Sequence, residues 1–322
     1  MKIKKPYIIA EVGSNHDNDI KKLKIFFNVV KKTGANAIKF QLFRKDDFST
    51  LNSKQKNEIS KYEIKENIIR EILQLSKKYK IETLFSIFGR YSFNVIKKYK
   101  QTQIKIASSE VNNYELLGLV ARNFKKIYLS SGMSELSEII KAIEILRKFN
   151  VENLNLLHCV ADYPTKEIDV NMNLLNLYKK LNLKNIGFSD HTLSNVSSLV
   201  ALGMGAKIFE KHITLNKKDI GPDNFYSLDP VEFKKYVDEI KLGHKSMGVN
   251  KKIITINEKK YGRREGVYLK KNLKKGTKIN KSLISFKMPA IGINKIYQES
   301  ILGLQIKKDK NKDEPLYFED LI

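Results

Sequence analysis

The sequence predicts an α/β protein, in which a (β/α)₈ barrel is followed by a small β-rich domain. From Tyr7 to about Gly248, apolar stretches typical of buried strands alternate with amphipathic stretches typical of helices. Eight such pairs in about 250 residues match the usual size of this barrel. Beyond about Lys251 the alternation stops. A doubly wound open sheet is the structural alternative, but the segment after the first strand lacks its usual glycine-rich phosphate loop.

The eight predicted strands are short, and polar groups lie at or just after the end of each one. We place the strand ends at Ala10, Gln41, Ser86, Ala107, Ser130, His158, Ser189 and Lys211. The clearest amphipathic stretches between them are Ile20–Lys32, Ile64–Tyr79, Glu135–Phe149 and Pro230–Met247. The carboxyl ends of the strands form the active-site face of such a barrel. The polar groups are therefore expected to line one mouth.

Three regions are predicted along the chain. The barrel domain spans 1–250, a linker spans 251–261, and the β-rich domain spans 262–322. In the last region two similar segments begin at Leu269 and Ile306, and each combines lysines, a turn and a short apolar run. The stretch from 251 to 322, some 70 residues long, makes only a marginal core alone. We therefore expect this domain to dock on another surface.

Composition narrows the class of protein. The formal net charge of +25 suggests nucleic-acid binding, but only seven of the 60 basic residues are arginine and the lysines are scattered over every predicted helix. An anionic small substrate is equally consistent with this charge. The single cysteine, Cys159, excludes an intramolecular disulfide and fits a reducing cytoplasm. The sequence shows neither a membrane-spanning apolar run nor a signal peptide, so a cytoplasmic protein is expected.

A histidine pair marks the stretch around which the predicted mouth is organised. His191 and His212 each follow a short apolar run, and Ser194 to Gly203 between them reads as a helix. Adjacent parallel strands lie about 5 Å apart. Two imidazoles at their ends can therefore share one divalent metal ion. Two buried histidines with only a packing role are the alternative.

Two further groups of side chains are predicted at the same mouth. Lysines with small hydroxyls suit a phosphate and a carboxylate, and the set is Lys39, Ser86, Lys105, Ser108, Ser130 and Ser189. The carboxylates Glu11 and Glu110 suit proton transfer. Structural alternatives stay open for both: Glu110 can cap the helix near Asn113, and Glu11 can simply pair with Lys39.

Eight motifs in a fixed order resemble those of a known family. They are IIAEVGSNH, AIKFQLF, IKIASSE, LSSGM, LLHCVADYPT, GFSDHT, FEKHITL and GPD. Together they resemble the sialic acid synthase (N-acetylneuraminate or nonulosonic acid synthase) family, and the tail resembles its antifreeze-like SAF domain, a β-clip. The resemblance implies a transferase of carbohydrate biosynthesis, including cell-surface polysaccharide. Such enzymes condense phosphoenolpyruvate with an N-acylamino hexose to give a nine-carbon 2-keto acid and phosphate.

The resemblance also implies roles for the matched positions. His191 and His212 would bind Mn²⁺ or Mg²⁺, and Glu11 would be acid/base machinery. Phosphoenolpyruvate would be held by Lys39, Ser86, Lys105, Ser108, Ser130 and Ser189. The sugar would be held by Gln41, Glu110, Tyr163, Asp223 and the residue at position 288. A homodimer is implied in which each tail closes the partner's site.

The sequence departs from the family at two positions that bear on the substrates. Ala161 replaces a polar residue, commonly Asn or Ser, that helps to hold phosphoenolpyruvate. Met288 stands where the family has an arginine that reaches across the dimer to the sugar's N-acyl group. The sugar can therefore be N-acetylmannosamine or a 6-deoxy-diacylamino hexose. Another barrel aldolase or 3-deoxy-sugar-acid synthase, or a degenerate homologue without activity, remains an alternative.

Overall fold

A computed structural model describes residues 5–47, 52–149, 151–261 and 263–322, with side chains omitted at 53 and 259–261. Residues 1–4, which open the predicted barrel domain, lie outside this range. So does residue 262, where the predicted second domain begins. The contacts divide the chain into two compact units, Met1–Gly248 and Val249–Ile322. Each unit is described by itself below.

The first unit is a closed barrel of eight parallel strands, which confirms the predicted fold. The strands are β1 (Tyr7–Gly13), β2 (Ala37–Leu42), β3 (Glu82–Ile87), β4 (Gln103–Ile106), β5 (Lys126–Ser130), β6 (Asn153–Cys159), β7 (Asn185–Asp190) and β8 (Ile208–His212). Each strand pairs with its neighbours in the sequence, and β8 pairs with β1 to close the ring. All eight carboxyl ends therefore meet at one mouth.

Helices follow the strands around the outside of the barrel. They are α1 (Ile20–Thr33), α2 (Ser53–Ser60), α3 (Glu66–Tyr79), α4 (Gly89–Lys98), α5 (Tyr114–Asn123), α6 (Leu136–Arg147), α7 (Leu174–Lys179), α8 (Val196–Gly203) and α9 (Pro230–Ser246). Local signals fix their starts. The Asp229 side chain accepts hydrogen bonds from the first turn of α9, with Pro230 at the first helical position. Asp19 caps α1 in the same way.

The inside of the barrel changes from apolar to polar toward the mouth. Below the mouth, the interior is filled by a separate apolar cluster of Ile9, Ala37, Leu84, Tyr128, Leu157 and Ile208. Side chains two residues apart share one face of a strand. The next inward residues are therefore polar or ionisable, as at Glu11, Lys39 and Glu210. The barrel is a packed core that ends in a polar floor.

The second unit contains α10 (Ile256–Tyr261), a two-stranded antiparallel sheet of β9 (Gly266–Leu269) and β10 (Ile284–Lys287), and α11 (Gln298–Ile301). It has its own apolar core, which includes Val267, Ile284 and Leu316. A buried ion pair joins Lys310 Nζ to Asp320 Oδ2 at 2.8 Å. The unit is thus stabilised by a small core to which this buried ion pair is added.

The boundaries differ from those expected at seven of the eight strand ends, and one helix was not expected. Five strands end one residue later than expected, namely β2, β3, β6, β7 and β8. Strand β1 continues past Ala10 to Gly13, because Glu11 is fully buried and stays in the ladder beside Lys39 and His212. Strand β4 ends at Ile106, one residue before the expected end. Helix α2 was not expected because its sequence, SKQKNEIS, lacks an apolar face. Among the described helices, none combines the length and apolarity that a membrane span requires.

Candidate active site

A cavity of about 510 Å³ opens at the carboxyl ends of the barrel strands. Twelve of the predicted site residues line it: Glu11, Lys39, Gln41, Ser86, Lys105, Ser108, Ser130, Tyr163, Ser189, His191, His212 and Asp223. They come from segments that are distant in sequence. The topology brings them together because parallel strands end at the same mouth.

Two predicted site residues lie outside this cavity. Glu110 is half-buried, and its Oε2 accepts a hydrogen bond from Asn113 Nδ2 at 2.8 Å. Asn113 in turn caps α5, which agrees with the structural alternative for Glu110. Met288 belongs to the second unit and is 56% exposed. Sugar-binding roles for both residues remain predictions.

A chain of buried charges forms the floor of the cavity. Lys39 Nζ lies 3.1 Å from Glu11 Oε2 and 3.3 Å from Glu210 Oε1. Lys105 Nζ lies 2.5 Å from the same Glu210 oxygen. The four side chains are almost fully buried, so this charge network is shielded from water. Two cations and two carboxylates alternate there with no net charge.

The network shifts the pKa of each lysine differently. Burial alone would lower the pKa of Lys39, but Glu11 and Glu210 raise it well above its ordinary range. Burial lowers the pKa of Lys105, with Glu210 opposing the shift. Burial would raise the pKa of Glu210, but Lys105 and Lys39 hold it far below its usual value. The carboxylates thus favour the charged form of Lys39, and at Lys105 Glu210 opposes the effect of burial.

Glu11 differs from the other members of the network. Its Oε1 accepts a hydrogen bond from Gln41 Nε2 at 2.7 Å, and its Oε2 pairs with Lys39. Burial raises the pKa of this carboxyl, although Lys39 opposes the shift. A carboxyl group with a raised pKa at the wall of a cavity is suited to giving and taking a proton.

Small hydroxyls form another side of the cavity. Ser108 Oγ donates to Ser130 Oγ at 2.9 Å and accepts from the Gly132 backbone N–H at 3.1 Å. A Cβ at Gly132 would lie only 2.8 Å from Ser108 Oγ, so a side chain there would displace the serine. Ser86 Oγ lies 3.5 Å from Lys39 Nζ. Hydroxyls and lysines together can bind the oxygens of an anion.

The two predicted metal ligands are neighbours in space. The ring centroids of His191 and His212 are 5.4 Å apart. His191 Nδ1 donates to the Val160 carbonyl at 2.7 Å, which leaves its Nε2 free. His212 Nδ1 is buried and has no hydrogen-bond partner among the described residues. Burial lowers the pKa of His212 to about 3, so this imidazole is neutral, as a metal ligand must be.

The chemistry of the histidine pair fits a divalent metal ion, because imidazole nitrogens are common ligands of such ions. Within the described residues, no group of three or more His, Cys, Asp or Glu side chains is arranged to hold a metal ion by itself. The histidine pair would supply two nitrogen ligands. Catalytic metal sites leave positions for water and substrate, whereas structural sites are closed by protein ligands.

Asp223 and two tyrosines complete the cavity wall beside the histidines. Asp223 Oδ2 accepts from the backbone N–H and the hydroxyl of Ser14, at 2.7 and 2.8 Å. Tyr226 donates to Asp223 Oδ1 at 2.6 Å. The Tyr163 ring lies 4.2 Å from that of His191. At Gly13, whose φ is 56°, a Cβ would lie 2.3 Å from Asp223 Oδ2, so glycine is required there.

Several lining residues were not expected as site residues, among them Glu210, Cys159 and Tyr226. Glu210 and His212 are two residues apart on β8, so the period of two could have placed Glu210 on the same inward face. Burial would raise the pKa of the Cys159 thiol, but His191 lowers it to about 7. Tyr226 follows the GPD motif in a loop and carries no comparable sequence signal.

Family models match both units of the chain. The model described as the NeuB family matches residues 26–252, and the SAF domain model matches residues 264–322. The two matches together cover the barrel from within α1 onward and the second core.

Individual proteins are similar over most of their length. A protein named N,N'-diacetyllegionaminic acid synthase from Campylobacter jejuni is 33% identical, over 97% of this chain and 99% of the relative. A pseudaminic acid synthase from Helicobacter pylori is 29% identical, over 98% of both chains. The crystal structure of the N-acetylneuraminic acid synthetase from Leptospira borgpetersenii, in complex with citrate, has a TM-score of 0.75 and 31% identity. That match covers 80% of this chain and 90% of the other.

Proposed function

The chain belongs to the NeuB family, and we propose that it is a nonulosonic acid synthase. In this proposal it condenses phosphoenolpyruvate with an N-acylamino hexose to give a nine-carbon 2-keto sugar acid and phosphate. One observation carries the proposal. A single cavity joins a lysine and hydroxyl group for an anion, a histidine pair for a metal and a buried glutamate. The named relatives support the reaction class.

The proposed reaction is balanced by one water molecule. The C3 carbon of phosphoenolpyruvate forms a bond to the aldehyde carbon of the sugar, and the aldehyde oxygen becomes a hydroxyl after taking up a proton. The cation left at C2 adds water and releases a proton. The C2–O bond to the phosphate then breaks, so phosphate leaves with the electron pair and takes up the proton of the C2 hydroxyl as the 2-keto group forms.

The residues of the floor would hold the anionic substrate during these steps. Lys39 and Lys105 would neutralise the phosphate and carboxylate of phosphoenolpyruvate, with Ser86, Ser108, Ser130 and Ser189 donating to their oxygens. Ala161 lines the same cavity without a polar atom in its side chain. The serines would therefore carry more of the phosphate contact than in relatives with Asn or Ser at this position.

Glu11 and the histidine pair would act at the sugar end. Glu11 would exchange a proton with the reacting groups, with its orientation fixed by Gln41. His191 and His212 would hold Mn²⁺ or Mg²⁺, which supplies Lewis acidity toward the aldehyde when bound. Gln41, Tyr163 and Asp223 line this part of the cavity and would bind hydroxyls of the sugar. A sugar-binding role for Glu110 is proposed from the family resemblance alone.

A substrate panel tests the proposal. The protein is incubated with phosphoenolpyruvate, Mn²⁺ and one sugar at a time from a panel of acylamino hexoses and shorter phosphosugars. Phosphate release is measured, and the product is identified by mass spectrometry. We expect phosphate release that depends on one of the sugars, with a nine-carbon acid as product. Release of phosphate with a shorter phosphosugar would favour a 3-deoxy-sugar-acid synthase. No release with any sugar would favour a degenerate homologue.

The sugar preference gives a separate prediction at Met288. Methionine cannot make the charge-assisted hydrogen bond to the N-acyl group that the family resemblance implies for arginine at this position. Such a bond contributes about 1.5–3 kcal/mol, so its absence should weaken use of N-acetylmannosamine by roughly 10- to 100-fold. Methionine packs well against methyl-bearing groups. The wild type should therefore prefer a 6-deoxy-diacylamino hexose, and Met288→Arg should move the preference toward N-acetylmannosamine. Catalytic efficiencies for both sugars measure this.

Lys287 provides the control for the Met288 prediction. Its ammonium pairs with Asp313 within the second unit, so it is already engaged by a carboxylate. Lys287→Ala should leave the sugar preference unchanged. The prediction is contradicted if the wild type uses N-acetylmannosamine well and Met288→Arg changes the catalytic efficiency for neither sugar. The residue at position 288 would then not determine the sugar preference. If Lys287→Ala removes activity with either sugar, Lys287 supplies the missing cation instead.

The family resemblance and the small size of the second unit support a homodimer, and the single cysteine is consistent with a location in the cytoplasm. Deleting residues 262–322 should leave a folded barrel, because that barrel has its own extensive core. The truncated protein should have little activity, since each tail would close the site of the partner subunit. Light scattering and phosphate release measure the two effects. A full-length chain that is active as a monomer would contradict this proposal.

A further inference from the structure

Glu210 lies where the donors proposed to hold phosphoenolpyruvate converge. Its Oε1 accepts hydrogen bonds from Lys105 Nζ at 2.5 Å and from Ser189 Oγ at 2.9 Å. The same oxygen is 3.3 Å from Lys39 Nζ. One carboxylate oxygen on β8 thus contacts side chains from β2, β4 and β7.

The surroundings of Glu210 leave these donors few other partners. Glu210 is 2% exposed, and its second oxygen, Oε2, has no hydrogen-bond partner in the described part of the chain. No other described residue offers Lys105 Nζ a hydrogen-bond acceptor. A lysine side chain is flexible and is held in one direction only by such a partner. Glu210 therefore fixes where the Lys105 ammonium lies.

We infer that Glu210 is a positioning residue of the synthase reaction, which sets Lys105, Ser189 and Lys39 in the directions that phosphoenolpyruvate requires. This inference rests on the proposed function. Glu210 acts through the three donors, and no contact with the substrate is needed. Donors that are already ordered lose less conformational freedom when the anion binds, and they bind it more tightly for that reason.

A carboxylate next to an anion site also repels the anion, so removing its charge has two opposing effects. Lys39 and Lys105 are 3% and 4% exposed. A buried ammonium without a counter-charge is strongly disfavoured. Lys39 keeps Glu11 as a partner when Glu210 is replaced by glutamine. Lys105, by contrast, loses its counter-charge and would leave its present position. We expect this loss of order to outweigh the relief of repulsion, and affinity for phosphoenolpyruvate to fall.

The test compares the wild type with Glu210→Gln and Glu210→Asp. Calorimetric titration with phosphoenolpyruvate alone gives Kd, and phosphate release gives kcat and KM for each substrate. Glu210→Gln should raise Kd and KM for phosphoenolpyruvate about 10- to 100-fold, with KM for the sugar within about twofold. Glu210→Asp keeps the charge on a shorter side chain, so its values should lie between those of the wild type and Glu210→Gln.

Asp190→Asn is the matched control. Asp190 is as buried as Glu210 and pairs with Lys211 Nζ at 2.9 Å, but neither partner lines the cavity. The melting temperature of Asp190→Asn should be lowered about as much as that of Glu210→Gln. Its affinity for phosphoenolpyruvate should be unchanged. If Glu210→Gln does not fold, Glu210→Asp serves as the test variant, and we expect it to bind phosphoenolpyruvate more weakly than the wild type.

The outcomes separate this inference from the proposed function. A wild type that binds and consumes phosphoenolpyruvate, with unchanged or tighter binding by folded Glu210→Gln or Glu210→Asp, would overturn the positioning role alone. An equal loss of affinity in Asp190→Asn would also overturn it, because any buried ion pair would then have the same effect. A wild type that binds no phosphoenolpyruvate would overturn both proposals.

Discussion

Replacing His191 or His212 with alanine should abolish turnover while the barrel remains folded. Both imidazoles line the cavity, and neither belongs to the apolar clusters that stabilise the barrel. If they hold the metal, one remaining ligand from the pair would bind it far too weakly for catalysis. The measurements are phosphate release, bound metal by elemental analysis and thermal unfolding of each variant.

Metal removal gives the same prediction without a mutation. Chelation of the wild type should stop turnover, and added Mn²⁺ should restore it. His158→Gln is the control, because His158 is a buried barrel histidine that does not line the cavity and bonds to the Val170 carbonyl. The His158→Gln variant should keep its bound metal. Full activity of a chelator-treated, metal-free sample would contradict the proposed role of the histidine pair.

Replacing Glu11 with glutamine should lower turnover by at least ~10²-fold, the usual size of a general acid/base effect. The amide keeps the shape of the side chain and removes its ability to exchange a proton. The raised pKa of this buried carboxyl supports an acid/base role. The measurement is kcat for phosphate release with both substrates saturating.

Glu11 also pairs with Lys39, so its structural role must be separated from its chemical one. Calorimetry with phosphoenolpyruvate alone serves this purpose. Glu11→Gln should still bind phosphoenolpyruvate with an affinity close to that of the wild type. A variant with turnover within a fewfold of the wild type would show that Glu11 serves only to pair with Lys39.

The sequence was sufficient to predict the barrel because its signals are local and repeated. Buried parallel strands are short apolar runs, and their alternation with amphipathic stretches is regular. The ends of the strands were less well defined. Glu11 and Val12 belong to β1, although a charged residue is expected to end a strand. Burial inside a polar barrel floor overrides that rule.

The site was predicted in part because strand-end residues meet at one mouth in any such barrel. Twelve predicted residues line the cavity for this reason. Glu110 could not be placed from its motif, because a hydrogen bond to Asn113 at the start of a helix competes with the cavity for its carboxylate. The role of Glu210 depends on three contacts across the barrel, and such contacts leave no pattern in the sequence.

The fate of the bridging oxygen of phosphoenolpyruvate tests the central proposal most directly. The protein is supplied with phosphoenolpyruvate carrying ¹⁸O between C2 and phosphorus, together with Mn²⁺ and the sugar that supports turnover. Mass spectrometry then locates the label. A nonulosonic acid synthase breaks the C–O bond, so the released phosphate should carry the ¹⁸O and the nine-carbon acid should not. Label retained in the organic product, or no nine-carbon acid at all, would contradict the proposed function.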